Sequence, residues 1–428
     1  MKIEKTAKNL LKTITKSTCA FTTVTNAMNR LYQRGFDELD LRGKWSLENG
    51  GKYFINIYDS SLFAFTIGEN FDGMLKIAAA HTDHPCLYIK PHPEITIKGY
   101  EKVNTEVYGG AILNTWLDRP LSVSGKITLT SDNLYQPKKK IIDFERPIFT
   151  IPNLAIHLNR EINKGIELNK QIDMLPICGM LNEVLNKERF FMEYLAEESG
   201  VKAEDILDFE LYVYNAEEGC VFGLNNDFIS SPRLDNITSV EACLTGIINT
   251  QPVSGINSIV LFDNEEIGSR TKQGADSGLL SMVLEKIYLT LGMDRESYIN
   301  KILDGFLLSL DVAHGFHPNR PEKSDPTNTN LLNHGIVIKR ASSQSYATDS
   351  ESIAIIEQLC KEAEVPYQKY AVRSDGTTGS TLGTITNKYL PMRSVDIGVP
   401  ILAMHSAREM MGIWDQAYLE KFVNRFFE

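Results

Sequence analysis

Residues 256–268 read INSIVLFDNEEIG, an apolar run that ends abruptly in three acidic side chains within four positions. A short apolar run bounded by polar residues is typical of a buried strand in an α/β protein. In open α/β sheets, ligands bind where such strands hand over to loops. The acids Asp263, Glu265 and Glu266 therefore predict either a solvated loop or a site in which neighbouring carboxylates have different tasks.

The surrounding sequence continues the pattern. After residue 231, helical and strand-like segments alternate, which predicts an α/β layer fold with a largely parallel or mixed sheet. The preceding segment, residues 91–230, has a different residue pattern. It holds β-branched runs such as LSVSGKITLT, an irregular stretch and one helical run at 180–199. We therefore expect an α/β domain, residues 1–90 and 231–428, that is interrupted by a β-rich insertion, residues 91–230.

Composition excludes several classes of protein. The 428 residues carry a net charge of −11 with acids and bases interspersed, so a nucleic-acid partner is not expected. No stretch approaches the roughly 20 apolar residues of a membrane span, and the first thirty residues lack the apolar core of a signal peptide. The six cysteines are scattered without paired spacing, which favours a reducing, cytoplasmic location.

Five short motifs place ligand-type side chains after an apolar run, in AAAHTDHP, SPRLDN, VLFDNEEIG, LLSLDVAH and PILAMHSARE. The set is imidazole plus carboxylate without thiolate, which suits Zn²⁺, Co²⁺ or Mn²⁺. Two ions about 3.5–4 Å apart need a bridging carboxylate and terminal ligands on each side. Such a pair could use His81 and Asp311 on one ion, Glu266 and His405 on the other, Asp235 between them, Glu265 as general base and Asp83 as orienter of the His81 ring.

Each motif also has an ordinary structural explanation. A single histidine after an apolar run is more often a core or surface residue than a ligand, and Asp235 could cap the helix that follows it. Glu265 and Glu266 could be solvated acids of a first helical turn, and Asp311 could cap a strand end. The recurrence at five strand ends favours a dinuclear metal site, in which Asp263 has no assigned task.

Taken together, the motifs resemble those of the aspartyl aminopeptidases, a family of dinuclear-zinc metallopeptidases. The resemblance runs over essentially the whole chain and includes YGGAILNTWLDRPLSVSGK, IPNLAIHLNR, VIKRASSQSYATD and IGVPILAMHSAREM. It implies a mixed-sheet α/β zinc-peptidase domain of the phosphorylase/hydrolase-like kind, with two divalent ions, most simply Zn²⁺, held by the ligand set given above. It also implies Glu265 as the base and Asp83 beside the first ion.

The resemblance further implies an assembly. In the family the insertion is a dimerisation domain, and dimers form a tetrahedral dodecamer that admits short peptides. His157, in IPNLAIHLNR, matches a histidine that reaches a partner subunit's active site. The sequence alone would make His157 an ordinary loop or strand histidine.

Substrate preference follows from the same resemblance. Lys339 matches the position that meets the acidic side chain of an N-terminal Asp or Glu, which a buried ammonium would select over an apolar side chain. His314, Tyr346 and Met404 match other pocket positions, and the turn at Gly379 and Ser380 is expected to contribute contacts. His84 departs from the family, which usually has Ser there. The alternatives are an aminopeptidase of broad or neutral specificity, in which Lys339 plays no selective part, and a non-catalytic scaffold of this fold.

Overall fold

The computed structural model describes residues 2–180, 189–377 and 379–428. Its helices are α1 Lys2–Lys16, α2 Ala20–Tyr32, α3 Phe190–Ser199, α4 Leu234–Asn249, α5 Leu279–Thr290, α6 Arg295–Asp304, α7 Ser350–Glu362, α8 Leu382–Asn387 and α9 Ile413–Phe427. Its strands are β1 Asp37–Glu38, β2 Lys52–Ile57, β3 Ser61–Ile67, β4 Asn70–His81, β5 Cys86–Ile97, β6 Tyr100–Tyr108, β7 Leu121–Leu129, β8 Lys138–Asp143, β9 Ile177–Met180, β10 Ile206–Asn215, β11 Cys220–Phe222, β12 Phe228–Ser231, β13 Ser254–Phe262, β14 Phe306–Leu310, β15 Ala313–His314, β16 Ile336–Lys339, β17 Tyr367–Tyr370, β18 Arg393–Gly398, β19 Pro400–Leu402 and β20 Glu409–Gly412.

The chain forms two compact units. The first contains Met1–Asp83, Gly219–Met404 and Glu409–Glu428, and the second contains His84–Glu218 and His405–Arg408. The chain passes between the units at residues 83/84 and 218/219, which lie seven and twelve positions before the predicted boundaries at 90/91 and 230/231, and again at 404/405 and 408/409. The functional division into a catalytic and a dimerisation domain stays a prediction.

The first unit contains a nine-stranded mixed sheet in the order β1-β2-β3-β13-β4-β14-β18-β16-β17. Strands β13, β4, β14 and β18 are parallel neighbours, whereas β16 runs antiparallel to β18. Helices connect the parallel strands, as a parallel sheet requires. The predicted mixed-sheet α/β fold is therefore confirmed.

Both faces of this sheet are buried. Along β13, Ile259 and Leu261 pack into a core with α1, α2, α4, α7 and α9, while Val260 and Phe262 pack into a second core with α5, α6 and α8. A strand covered on both faces gains from apolar side chains at every position rather than at alternate ones. This explains the unbroken apolar run of residues 259–262, which directly precedes the acids.

Two further sheets are present. A five-stranded sheet of the first unit has the order β11-β12-β20-β19-β15, and the second unit holds a six-stranded sheet in the order β8-β7-β10-β5-β6-β9. The six-stranded sheet packs through Val123, Leu211 and Val213 against Phe191 and Leu195 of α3. The β-rich character expected for the insertion is thus present in the second unit.

Some local predictions differ from the structure. Helix α6 was not predicted, and strand β5, Cys86–Ile97, is irregular between Ile89 and Glu94. The predicted helix at 180–199 is present only as α3, because Met180 ends β9 and residues 181–188 lie outside the described residues. Among the described residues, none of the helices combines the length and the apolar composition needed to span a membrane.

Candidate metal centre

The order of the central strands brings three of the motifs to one edge of the sheet. His81 is the last residue of β4, and Asp311 follows β14, which lies beside it. On the other side of β4, strand β13 ends opposite His81 and leads into a 3₁₀ turn, Glu265–Ile267. Parallel neighbours end at the same edge, so these side chains share one region although they are far apart in sequence.

His81 lies at the centre of this group. Its Nε2 is 3.4 Å from Oδ1 of Asp235 and 3.6 Å from Oδ1 of Asp311. One ligand atom each from His81, Asp235 and Glu266 lie within 4.8 Å of one another. One imidazole and two carboxylates at this separation can surround a divalent ion, so the donor set fits zinc.

Asp235 reaches the group from the start of α4. Its backbone and that of Asn236 depart from helical geometry, so Asp235 does not begin a regular first turn. The N–H of Asp235 donates to Oε2 of Glu409 over 3.0 Å, and Nδ2 of Asn236 donates to the carbonyl of Leu310 over 2.9 Å. Glu409 was not singled out from the sequence, although it closes the HSARE motif, and it helps to hold Asp235 in place.

Asp83 connects His81 with the turn that bears the glutamates. Its backbone carbonyl is 3.0 Å from Nδ1 of His81, closer than its carboxylate at 3.5 Å. The carboxylate instead accepts the N–H groups of Glu265 and Glu266, each over 3.1 Å. Asp83 was predicted to orient the imidazole with its side chain, and the structure gives the shorter contact to its main chain.

Burial and mutual repulsion raise the pKa values of the two glutamates of the turn. Burial raises the pKa of Glu265 to about 8, with the carboxylates of Asp311, Asp83 and Asp235 adding to the rise. Burial and the Asp235 carboxylate raise the pKa of Glu266 well above its usual value. A bound cation would counteract both effects, because it favours the ionised form of each carboxylate.

The remaining acid of the turn is also buried. Asp263 is 3 % exposed, so the solvated-loop interpretation is wrong for this residue. Burial and the nearby Asp83 carboxylate raise its pKa to about 7.

Burial and hydrogen bonding shift the pKa of His81 in opposite directions. Burial alone would lower the pKa of its imidazole, but hydrogen bonds with Asp235, Asp311 and Asp83 raise it well above the ordinary value. Protein groups alone therefore favour the imidazolium, and the two ring nitrogens lie against oxygen atoms. A metal ion in this position would replace the proton on Nε2, while Nδ1–H stays on the Asp83 carbonyl.

Lys339 approaches Asp311 from β16. Its side chain is 2 % exposed, and Nζ donates to Oδ2 of Asp311 over 3.2 Å and to the carbonyl of Val312 over 3.1 Å. The ammonium also lies 5.3 Å from the centre of the Tyr346 ring. Although burial alone would raise the pKa of Asp311, the Lys339 charge and the His81 hydrogen bond keep it below its usual value.

The other predicted pocket residues differ in exposure. Tyr346 is buried, and its ring centre is 6.4 Å from that of Tyr370, which in turn is 6.1 Å from the ring of His314. His314 and Tyr370 line a cleft of about 570 Å³ between the loops 314–330 and 370–377. Tyr370 was not singled out from the sequence, which gave no signal beyond an aromatic residue at a strand end.

The last predicted pocket residues, Met404, Gly379 and Ser380, lie in two loops. Met404 is half-buried against the core, whereas Gly379 and Ser380 are exposed, and a Cβ added to Gly379 would meet nothing within 4 Å. Thr378, which precedes them, lies outside the described residues. Gly379 is therefore not required by close packing, and its part in substrate binding stays a prediction.

His405 belongs to the second unit, and so does its hydrogen-bond partner. Its Nδ1 lies 3.2 Å from the carbonyl oxygen of Gly110, in the YGGA motif. A Cβ on residue 110 would lie only 3.2 Å from the same Nδ1, so a glycine allows the ring to approach. A histidine ring whose Nδ1 faces a backbone carbonyl is a common arrangement in metal sites. The role of His405 stays a prediction.

Two further histidines of the second unit were considered from the sequence. His157 lies in an exposed turn, and the residues on both sides of it are exposed as well. His84 is only 4 % exposed, so it does not point to solvent.

Comparisons with known proteins agree with this geometry. Residues 13–427 match the family described as "Aminopeptidase I zinc metalloprotease (M18)". The chain is 46 % identical over 424 residues to "Probable M18 family aminopeptidase 2" of Clostridium acetobutylicum, with 98 % of each chain covered. The fold is similar to a chain in the cryo-EM structure of the Ape4 and Nbr1 complex, with TM-score 0.95, 32 % identity and coverage of 100 % and 86 %. The structure of the S. cerevisiae mApe1 dodecamer gives TM-score 0.86 at 25 % identity, covering 100 % of this chain and 97 % of that one.

Proposed function

Because this chain belongs to the M18 family of zinc aminopeptidases, we propose that it removes N-terminal Asp or Glu from short peptides. The resemblance to the aspartyl aminopeptidases, which fall within M18, suggests this substrate class. The supporting observation is the buried ammonium of Lys339, 3.2 Å from a carboxylate of the candidate metal centre.

Lys339 can recognise an acidic side chain because its charge is held in a place that water hardly reaches. An ammonium at such a site forms charge-assisted hydrogen bonds to a carboxylate. A bound substrate with an apolar first side chain would remove the remaining water from the Lys339 ammonium without offering it a hydrogen-bond acceptor. Such a substrate would therefore bind more weakly. Tyr346, His314 and Met404 form the proposed walls of the pocket, with Gly379 and Ser380 at its exposed side.

We propose two divalent ions in each subunit, with Zn²⁺ as the native pair and Co²⁺ or Mn²⁺ as substitutes. The proposed ligands are His81, Asp235, Glu266, Asp311 and His405. When bound, the ions would lower the pKa of a water molecule and polarise the scissile carbonyl. The proximity of His81, Asp235 and Glu266 supports this set.

Glu265 is the proposed proton carrier. Its backbone N–H is held by Asp83, and its carboxyl lies among His81, Asp311 and Asp235. In the proposed reaction Glu265 accepts the proton of the attacking water and then delivers it to the leaving amine. Its position directly before the ligand Glu266 lets the two side chains leave the turn in different directions.

We further propose that the protein is a homo-oligomer, built from dimers that assemble into a tetrahedral dodecamer. The similarity to the mApe1 dodecamer and the exposed segment around His157 support this proposal. In it, the β-rich unit mediates dimerisation and His157 of a neighbouring copy stabilises the oxyanion. Native mass spectrometry of the purified protein tests the assembly. Cell fractionation tests the cytoplasmic location expected from the cysteine pattern.

A second candidate is an aminopeptidase of broad or neutral specificity. It is favoured by one observation, namely that Lys339 already has a carboxylate partner in Asp311. In that case Lys339 would serve the metal centre instead of the substrate.

One experiment distinguishes the two candidates. Wild type and Lys339→Ala, both loaded with Zn²⁺, are compared on Asp-, Glu- and Leu-arylamides. Acid specificity predicts at least a hundredfold preference for Asp and Glu in wild-type kcat/KM, reduced to about tenfold or less in the variant. Equal rates on all three substrates with wild type would overturn the proposal in favour of the broad enzyme.

A further inference from the structure

Asp263 is the acid of residues 256–268 to which the proposed chemistry gives no task. Its side chain is 3 % exposed, yet carboxylates are almost never buried unless hydrogen bonds or charges compensate for the lost water. The hydrogen bonds of Asp263 therefore show which groups compensate for its burial and which part of the structure it holds.

The side chain of Asp263 contacts the next residue of the turn. Its Oδ1 accepts the N–H of Asn264 over 2.7 Å, and its Oδ2 lies 3.4 Å from Nε2 of Gln273. The N–H of Asp263 donates to Oγ of Ser61, the first residue of β3, over 2.8 Å. Asp263 thus joins the turn to a neighbouring strand of the sheet.

Together, Asp263 and Asp83 account for three successive N–H groups. The N–H of Asn264 ends on Asp263, and those of Glu265 and Glu266 end on the two oxygens of Asp83. Because peptide units are planar, fixing three consecutive N–H groups fixes the backbone between them. The directions in which the two glutamate side chains leave the backbone are then fixed as well.

Asn264 is held from its other side too. Its φ is +66°, a left-handed conformation that Asn adopts more readily than most residues. Its Oδ1 accepts Oγ1–H of Thr271 over 2.8 Å and Nε2–H of Gln273 over 3.1 Å. Gln273 therefore contacts both Asp263 and Asn264.

We propose that Asp263 is a positioning residue that, together with Asp83, holds the 264–266 turn so that Glu266 faces the metal position while Glu265 stays beside it. The inference rests on the proposed function, because it explains how two adjacent glutamates keep separate tasks. Residues that hold a ligand in this way typically change metal affinity or activity 10–100-fold when removed.

The test uses the full chain with Asp263→Ala, Asp263→Asn and a matched control, Asp415→Ala. Asp415 is also fully buried and accepts two backbone N–H groups, from Asn333 over 2.7 Å and Gly335 over 3.1 Å. It thus controls for the general effect of deleting a buried carboxylate. Zn²⁺ affinity is measured by competition with a chelator, and kcat and KM are measured on an Asp-arylamide.

The expected result is a loss of about 10–100-fold in Zn²⁺ affinity and in kcat for Asp263→Ala, with KM changed less than about threefold. Asp263→Asn keeps an oxygen for the Asn264 N–H and is expected to stay within about threefold of wild type, a margin set well inside that 10–100-fold loss. Asp415→Ala loses stability but keeps both properties. If Asp263→Ala matches Asp415→Ala in affinity and kcat, the inference is wrong.

Two further outcomes are decisive. If Asp263→Ala does not fold, Gln273→Ala, at a half-buried position, loosens the same contacts and is expected to lose about 3–10-fold in affinity, less than direct removal of the carboxylate. Wild-type Zn²⁺ affinity in Gln273→Ala would then overturn the inference. If wild type neither binds Zn²⁺ nor cleaves any arylamide, the proposed function fails instead.

Discussion

Nζ of Lys339 lies 3.2 Å from Oδ2 of Asp311, in a part of the first unit where the lysine is 2 % exposed. A cation and a carboxylate in this position depend on one another, because each would otherwise be a buried charge with poor compensation. The same contact places the proposed specificity residue directly against a proposed metal ligand. The proposed roles of the two residues therefore predict that substrate choice and metal binding are coupled.

The first prediction concerns the stability of this pair. Lys339→Met should lower the free energy of unfolding of the metal-free protein by about 3 kcal/mol, since it leaves the Asp311 carboxylate without its cation. Asp311→Asn should lower it as well, and the double variant should lose clearly less than the sum of the two. Urea unfolding followed by circular dichroism measures all four proteins. Additive losses, within about 0.5 kcal/mol, would show that the pair is not coupled.

The second prediction separates the two adjacent glutamates. Glu265→Gln should reduce kcat about 10²–10⁴-fold because the proton carrier is gone, while the Zn²⁺ content stays that of wild type. Glu266→Gln is the matched neighbour and should lose zinc, because a neutral amide is a poorer ligand. Elemental analysis and arylamide turnover are measured on the same samples. Full activity of Glu265→Gln would exclude it as the base.

The third prediction concerns removal of the metal. His81, Asp235 and Glu266 crowd two carboxylates beside one imidazole, so a cation that binds only the folded state should stabilise it. At a Zn²⁺ concentration about 100 times Kd, this amounts to about 2.7 kcal/mol. A chelator should lower the thermal midpoint and abolish activity, and added Zn²⁺ should restore both. His81→Ala, which lacks a central ligand, should respond much less to the chelator.

The fourth prediction is a pH dependence away from the metal centre. Burial raises the pKa of Glu420 to about 8, with the Glu241 carboxylate adding to the rise. The folded protein thus favours the protonated form, so the stability from this group is fully present below the ordinary glutamate pKa of 4.5 and is lost as the pH rises from there through about 8. Glu420→Gln should therefore gain stability over wild type as the pH rises, by about 1–3 kcal/mol at pH 8.5.

A suitable control for Glu420 exists on the surface. The side chain of Glu364 is 88 % exposed, and its Oε2 lies 3.8 Å from Nζ of Lys421. Lys421 follows Glu420 in helix α9. Glu364→Gln should show no such change when thermal midpoints are compared at pH 5.5 and 8.5. If the two variants respond alike, the burial of Glu420 has no role in the pH dependence.

Much of the architecture could be predicted because a sheet that helices cover on both faces requires mainly apolar strands, which are easy to find in a sequence. Mainly apolar runs such as residues 256–262 and 306–310 predicted the central strands, and their polar ends predicted where ligands lie. Short or irregular elements carry no comparable mark. Helix α6 and the two-residue strand β15 depend on packing against neighbours, which local pattern does not report.

The candidate site shows the same division. Residue types suitable for zinc were visible at the strand ends, and Glu265 and Glu266 stood out by their order. The residues that hold them in place could not be recognised in the sequence. Glu409 and Gly110 lie far along the chain from Asp235 and His405, which they contact. Asp263 was expected in a solvated loop and is buried, because β3 and the segment around Gln273 cover it.

The sequence by itself determined which side chains were available for chemistry and that they would follow buried strands, since burial on both faces demands apolar runs with polar ends. Only the tertiary structure decided which of them meet. Strand order placed β4 between β13 and β14 and so set His81 beside Asp311 and the glutamate turn. It also decided that Lys339 is paired and that Asp263 and Asp83 share one turn, because hydrogen bonds between distant segments depend on distances that no local pattern encodes.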